Sequence, residues 1–331
     1  MTDATIISVS ASMRAAFELA ARFAPRTTPI LIVGPTGSGK EVVASAIHAL
    51  SERTGRFLEI NCGALPRELI EAQLFGYRRG AFSGALQDTP GHVEEANHGT
   101  LFLDELASMP GEAQVKLLKV VEEGWVMRVG ESRPRAVDVR FVAAVQAADR
   151  RGIDRRQIRS DLLHRLSGVV IELAPLAKWP EDVMVLARHF ASLHGQELDG
   201  TCESALLHYR WPGNVRELRH TIERAATLAS NGCLHAIDIV HAIDLGLPAP
   251  GAAACAAGGD RDRVLHALAV SGWNVRRAAG ALRVGRATLF RRLKGWGLSV
   301  AAAREYHESR HGIETGETLV VGSPSSDLVT R

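Results

Sequence analysis

Gly34, Gly39 and Lys40, within ILIVGPTGSGKE, satisfy the spacing G-x-x-x-x-G-K. Glycines at those positions let consecutive backbone N–H groups converge on an anion. A helix opening at the lysine adds the positive end of its dipole. Lys40 in such a cradle reaches the outer phosphates of a nucleoside triphosphate. Glu41 stands where a Ser or Thr usually meets magnesium, so its carboxylate is expected to meet the ion through water. The second group is GTLFLDEL, 99–106, an apolar run that carries Asp104 and Glu105 at its end. Ligands of open parallel sheets collect at such strand ends. Asp104 is expected to hold Mg²⁺ and Glu105 to polarise an attacking water. A chance Gly-rich turn, or an acidic strand end, would explain either group alone. Their succession, with a strand before and a helix after the first, implies nucleotide hydrolysis.

The elements around these groups follow from the apolar pattern. Short apolar runs at Ile30–Val33, Phe57–Ile60, Leu101–Leu103, Val137–Val145 and Val169–Leu173 read as strands. Helical patterns at Met13–Phe23, Lys40–Leu50, Pro66–Leu74 and Gln114–Val121 lie between them. That alternation predicts an α/β fold, a parallel sheet with helices on both faces, over residues 5–175. Residues 176–245 read as a helical lid, 246–260 as a Pro/Gly/Ala linker, 261–300 as an all-α domain and 301–331 as a loosely ordered tail.

With 331 residues, 46% hydrophobic content and a net charge of +2, the composition is that of an ordinary globular protein. No apolar run reaches the length of a membrane span and the N-terminus does not read as a signal peptide, so a cytoplasmic location is expected. Four scattered cysteines (Cys62, Cys202, Cys233, Cys255) imply neither zinc nor a disulfide. Residues 272–298 contain seven Arg/Lys and no Asp or Glu, which leaves the remainder at −5. A compact basic end on a mildly acidic body suggests a polyanion partner.

GYRRGAFSGAL, 76–86, poses a separate problem, because a connecting loop gains nothing from a large apolar ring such as Phe82. Taken with its neighbours it acquires a meaning. GPTGSGKE, EINCGALP, LFGYRRGAFSGA, HGTLFLDEL, IRSDLLHRL and WPGNVREL occur in the order found in one family. Residues 5–245 thus resemble the AAA+ ATPase domain of bacterial enhancer-binding proteins, the activators of sigma-54 RNA polymerase. The resemblance implies that Gly80, Ala81, Phe82, Ser83, Gly84 and Ala85 form the loop that touches sigma-54, with Phe82 as the contact and Gly80 and Gly84 as hinges. It assigns nucleotide binding to Gly34, Pro35, Thr36, Gly37, Ser38, Gly39, Lys40 and Glu41, to the stretch Ala96, Asn97, His98, Gly99, Thr100, Leu101, Phe102, Leu103, Asp104 and Glu105, and to Gln146 and Arg216. Asn61 is similar to the family's switch residue, although a strand-end Asn capping a turn is the commoner use of that residue. Arg159 and Arg165 match arginines that act on a neighbouring subunit's ATP, although surface arginines usually pair with nearby acids. Fingers supplied in trans imply a hexameric ring.

The basic end resembles the Fis-type helix-turn-helix of the same activators. Val275–Leu282 and Arg286–Lys294 are its expected helices, with Leu282, Val284, Leu289 and Leu293 inward. Arg286, Ala287, Thr288, Arg291 and Arg292 are expected to face double-stranded DNA.

Departures from the family pattern are Val145-Gln146 at the end of the sensor strand, Ser83 in the loop, PLAKWPEDV at 175–183 and Arg283 in the turn. The few residues before the ATPase domain leave no space for a receiver domain, so control is expected from a separate protein, a paired subunit or expression level. The expected function is ATP-driven activation of sigma-54 RNA polymerase from upstream DNA. The competing reading is a DNA-binding regulator that keeps the fold without the motor.

Overall fold

The computed structural model describes residues 10–146, 157–229, 232–246, 264–265, 267–268, 271–282, 286–295 and 298–300. They fall into two compact units that divide after Gly246. The first begins α1 (Ala11–Phe23), β1 (Ile30–Val33), α2 (Lys40–Ala49), β2 (Phe57–Asn61), α3 (Arg67–Phe75), β3 (Gly76–Tyr77), β4 (Thr89–Pro90), α4 (His92–Glu95) and β5 (Thr100–Asp104). It continues through α5 (Gly111–Glu123), β6 (Trp125–Val126), β7 (Arg135–Ala136), β8 (Arg140–Val145), α6 (Ser160–Leu166) and β9 (Val169–Glu172). The lid follows as α7 (Pro180–Leu193), β10 (Glu197–Leu198), α8 (Cys202–His208), α9 (Asn214–Leu228), β11 (Cys233–Leu234) and α10 (Ala236–Gly246).

Five strands form a parallel sheet in the order β2-β5-β8-β1-β9. Alternate side chains of a strand face opposite ways, and β1 uses both faces. Ile30 and Ile32 join one core with α1, α2 and the lid, whereas Leu31 and Val33 join the other with α3, α5 and α6. Central strands buried on both sides must be apolar throughout. Every residue of β1 and β8 is accordingly buried, including Arg140. Arg140 donates to the carbonyls of Phe23 and Ala24, where α1 ends. Those carbonyls lack intrahelical partners, and a cation there also meets the negative end of the dipole. Burial still lowers its pKa to about 10.

The core and lid share one hydrophobic cluster, centred on Trp211, Leu218 and Ile222. Trp211 is buried, donates from Nε1 to Leu206 O at 2.9 Å and meets Tyr209 edge-on. Leu176 and Trp179, in the stretch that departs from the family, are buried in that cluster too. Cys62 and Cys202 are buried and Cys233 half-buried, all with free thiols; Cys255 lies outside the described residues. No helix among the described residues is long and apolar enough to cross a membrane.

In the second unit, helices Val275–Ala281 and Arg286–Gly295 close on a small core of Val264, Leu265, Leu268, Ala278, Ala279, Leu289 and Leu293. Asn274 caps the first helix, its Oδ1 accepting from the N–H groups of Arg276 and Arg277 at 3.0 and 3.2 Å. Residues 283–285, the linker within 247–263 and the tail 301–331 lie outside the described residues.

Candidate nucleotide site and projecting loop

The parallel register brings the two sequence groups together. Val33 pairs with Val145, Leu103 with Ala143, and Asn61 with Asp104, so β1, β2, β5 and β8 end side by side. From β1 the chain enters the cradle, where Gly37 and Gly39 take φ of 74° and 92°. A Cβ on Gly37 would meet Gly213 O at 2.3 Å, so glycine is required there by space as well as by φ. Helix α2 has no side-chain cap at Gly39, which leaves its first N–H groups for an anion. The Ser38 hydroxyl is buried without a protein partner. Lys40 Nζ donates to Gly34 O at 3.1 Å and Pro35 O at 3.0 Å. Burial lowers its pKa; the charges of Asp104 and Glu105 oppose that shift, and Arg216 adds to it. The lid closes the cradle through two hydrogen bonds to its backbone: Arg216 N donates to Gly37 O at 3.3 Å and the Asn214 side chain, Nδ2, to Thr36 O at 2.9 Å.

Asp104 ends β5, half-buried, and its Oδ1 accepts from Glu105 N at 2.9 Å. Glu105 itself is left-handed, φ 51°, an uncommon conformation for a residue with a side chain. Its carboxylate lies over Gly63, where a Cβ would come within 2.2 Å of Oε2. Asn61 builds that turn: its Oδ1 accepts from Gly63 N at 2.8 Å and Ala64 N at 3.0 Å. Asn61 thus caps the turn beneath Glu105. Burial pushes the neighbouring Cys62 thiol up to about 12, with Asp104 and Glu105 adding to the effect, so it stays neutral.

A third carboxylate joins this edge. Glu59, on β2, keeps solvent contact as a residue, yet partial burial of its carboxyl, then the charges of Glu41 and Asp104, raise its pKa to about 7. A hydrogen bond with Glu41 adds to the shift. The negative charge of Glu41 and Asp104 that raises the Glu59 pKa would equally attract a divalent cation. No three His, Cys, Asp or Glu side chains among the described residues are placed to cage a metal by themselves. Magnesium needs no such cage, because it takes one or two carboxylates and completes its shell with phosphates and water. Glu41 and Asp104 therefore fit the ion, with Glu59 as an unanticipated neighbour.

The raised pKa has a measurable sign. An acid with a folded pKa near 7 and an unfolded value near 4.5 destabilises the fold increasingly as pH rises between those values, and by a constant amount above. Glu59→Gln escapes that penalty. Without nucleotide or divalent cation, the Tm advantage of Glu59→Gln over the parent is expected to grow from pH 5 to pH 8. An advantage equal at both pH values would count against the shared proton.

Part of the expected nucleotide-binding stretch needs correction. Ala96, Asn97, His98 and Gly99 lie at the opposite end of β5 from Asp104. There, Asn97 Oδ1 accepts from Asp138 N at 2.7 Å and His98 N donates to Asp138 O at 2.7 Å. Thr100 is four residues from Asp104, about 13 Å along the strand. Leu101, Phe102 and Leu103 are fully buried between the two cores. Asp104 and Glu105 are the part of that stretch that reaches the cradle. Gln146 is exposed at the end of β8, beside the strand that enters the cradle.

Arg159 and Arg165 lie at the start and near the end of α6. Arg159 makes a two-point ion pair with Asp161, and Arg165 Nε lies 2.8 Å from Glu122 Oε1. Their side chains are 48% and 59% exposed, and neither is among the charges that act on Lys40.

The loop from Gly76 to Gly91 separates α3 from α4. Gly80 and Gly84 take φ of 83° and 109° with open space around them, so backbone conformation alone requires glycine. Phe82 is 40% exposed and meets Tyr77 edge-on, ring centroids 4.9 Å apart. Phe82 and Ser83 are exposed and Ala81 half-buried, but Ala85 is buried, which corrects its expected place in a contact surface. The base of the loop is braced by the β6–β7 hairpin, through Arg78 N to Val129 O at 3.0 Å and Val129 N to Gly76 O at 2.8 Å. Arg128 holds this brace to α4 through two bonds to Glu94, 2.7 and 2.8 Å.

On the second unit, Arg286 and Arg291 are exposed and Thr288 is half-buried; the side chains of Ala287 and Arg292 lie outside the described residues.

Residues 6–172 match the sigma-54 interaction domain, about half of the chain. The chain belongs to the sigma-54 interaction domain family. Residues 178–251 match the AAA+ ATPase lid domain, and residues 260–296 the Fis family of bacterial regulatory proteins. The chain is 42% identical to the sigma54-dependent transcriptional activator SfnR of Pseudomonas putida over 224 residues, 65% of this chain and 61% of that protein. It is 44% identical to the Psp operon transcriptional activator of Escherichia coli K12 over 217 residues, 63% of this chain and 67% of that protein. Thus the match to SfnR spans less than two thirds of that protein. Among solved structures, NtrX from Brucella abortus in complex with ATP superposes with a TM-score of 0.65 at 30% identity, over 89% of this chain and 70% of that one. A RuvB structure from Thermotoga maritima, at 16% identity and a TM-score of 0.50 over 86% of this chain and 85% of that one, shares the fold. In this family setting the cradle, lid and acidic strand end are those of an AAA+ ATPase domain.

Proposed function

We propose that the chain is an ATP-hydrolysing transcriptional activator. It binds upstream duplex DNA through its C-terminal helices, assembles into a hexameric ring and remodels sigma-54 RNA polymerase through the loop bearing Phe82. One observation carries the reading: the same body that holds a phosphate cradle also presents a glycine-hinged loop with a partly exposed aromatic ring. A hydrolase without a protein target has no use for that ring.

The chain's own residues account for the chemistry. Helix α2 and the cradle N–H groups hold the phosphates, and Lys40 is placed to exchange the carbonyls of Gly34 and Pro35 for phosphate oxygens. A magnesium ion would be held by Asp104, with Glu41 acting through water, and would neutralise phosphate charge. Glu105 orients the attacking water from a turn that Asn61 and Gly63 keep tight. Arg159 and Arg165, exposed and paired with Asp161 and Glu122, serve a neighbouring copy. Arg216, bonded through its backbone to Gly37, reports nucleotide occupancy to the lid.

Open-complex formation on a sigma-54 promoter tests the proposal. Wild type with ATP is expected to open it, and Phe82→Ala to lose at least tenfold while keeping its ATPase rate. That loss follows from burying a phenylalanine ring being worth about 1.5–3 kcal/mol. Failure of both proteins with DNA binding retained would favour the regulator without a motor.

A further inference from the structure

We infer that Phe290 reads the 5-methyl group of a thymine in the duplex bound by this chain. The inference rests on the proposed DNA-binding role of the second unit and goes beyond it. Among the expected contacts of the helix Arg286–Gly295, Ala287 and Thr288 carry single methyl groups that can meet a thymine methyl; Phe290 offers a far larger apolar surface, 48% exposed.

On that helix, Leu289 and Leu293 are buried and anchor one face in the core of the unit. Phe290, one residue on, is 48% exposed and, among the described residues, does not belong to that core or to those packed around it. One exposed ring is ordinary by itself; what surrounds this one gives it a use. Its neighbours identify that use. Residues four apart on a helix share a face, so Arg286, Phe290 and Lys294 form one ridge, with exposed Arg291 beside Phe290. The helix carries no acid. A second protein surface would have to bury three cations to cover the ring. A duplex supplies phosphates for the cations, and in its major groove an apolar patch, the thymine methyl, of the kind phenylalanine contacts. The ridge therefore divides the labour: Arg286, Arg291 and Lys294 set affinity through charge, and Phe290 supplies discrimination at one base.

The test uses the full chain and a duplex selected with it from a random library. Each thymine is replaced in turn by deoxyuridine, which removes the methyl and nothing else. Wild type is expected to bind about fourfold more weakly at one thymine per half-site, the worth of one buried methyl-sized group. Phe290→Ala is expected to bind thymine and deoxyuridine equally at that position, with its salt dependence unchanged because no phosphate contact is lost. Phe290→Leu is expected to restore part of the preference. Its circular dichroism and Tm should match wild type, since the ring lies outside the core. Equal binding of thymine and deoxyuridine at every position by wild type overturns the inference, as does a thymine preference that survives in Phe290→Ala. A loss of affinity in Phe290→Ala that follows a loss of self-association would instead place a second copy on the ring, and also overturns it. An empty selection with wild type would sink the DNA-binding role itself.

Discussion

Glu105→Gln is expected to leave ATP binding intact and to slow hydrolysis by about 10²–10⁴-fold, the usual worth of a positioned general base. The amide keeps the size of the side chain and so preserves the left-handed backbone at φ 51°, but it cannot take a proton from water. The position is rigidly built. Asp104 Oδ1 receives the Glu105 N–H, and Asn61 folds the facing turn so that Gly63 lies directly beneath the carboxylate. Strained backbone held by its surroundings is a recurrent property of catalytic positions. Equilibrium binding of a fluorescent ATP analogue and phosphate release should be measured on the same preparation. Hydrolysis within tenfold of wild type would remove Glu105 from the mechanism; loss of binding would make its role structural.

Arg165→Ala and Arg159→Ala are each expected to lower turnover by about 10³–10⁵-fold, the range for an arginine that stabilises charge on a transferring phosphoryl group. Arg159 is committed to Asp161 and Arg165 to Glu122, both on an exposed face. If they act on a neighbouring copy, two inactive proteins should repair one another. Arg165→Ala supplies an intact Glu105, and Glu105→Gln supplies an intact arginine. Equal amounts assembling at random regenerate about a quarter of the composite sites in a closed ring. A mixture no more active than its components would show that the arginines serve their own chain or none. Recovery without a change in molecular mass would exclude the ring.

The main architecture was legible because it rests on strong local signals. Apolar runs located all five strands of the sheet within a few residues, and the glycine spacing located the cradle before β1 and α2 were seen. What escaped depends on register. Glu59 becomes a neighbour of Asp104 only because β2 and β5 pair Asn61 with Asp104, and nothing in EINC announces that pairing. The family resemblance assigns the whole stretch Ala96–Glu105 to nucleotide, yet Ala96–Leu103 lie away from the cradle. An extended strand carries adjacent residues away at about 3.3 Å each, so adjacency misleads most where the chain is straightest. The β6–β7 hairpin bracing the loop consists of two-residue strands, too short to show a period. Phe290 was passed over because its helix was read for cations. Only burial reveals that the ring has no place in its own core.

Phe82 has a resting place, and it is a weak one. An edge-on pair of aromatic rings contributes about 0.5–1.5 kcal/mol beyond the area covered. Such a catch biases two positions of the loop by only about two- to thirteenfold. Gly80 and Gly84, both at positive φ, flank the ring with backbone that carries no side chain to resist its leaving Tyr77. In the proposed activator, a contact this weak would not need nucleotide energy to pry the ring free. Hydrolysis would instead supply timing: nucleotide state would decide when an excursion that heat already produces is prevented from reversing, the logic of a ratchet rather than of a lever.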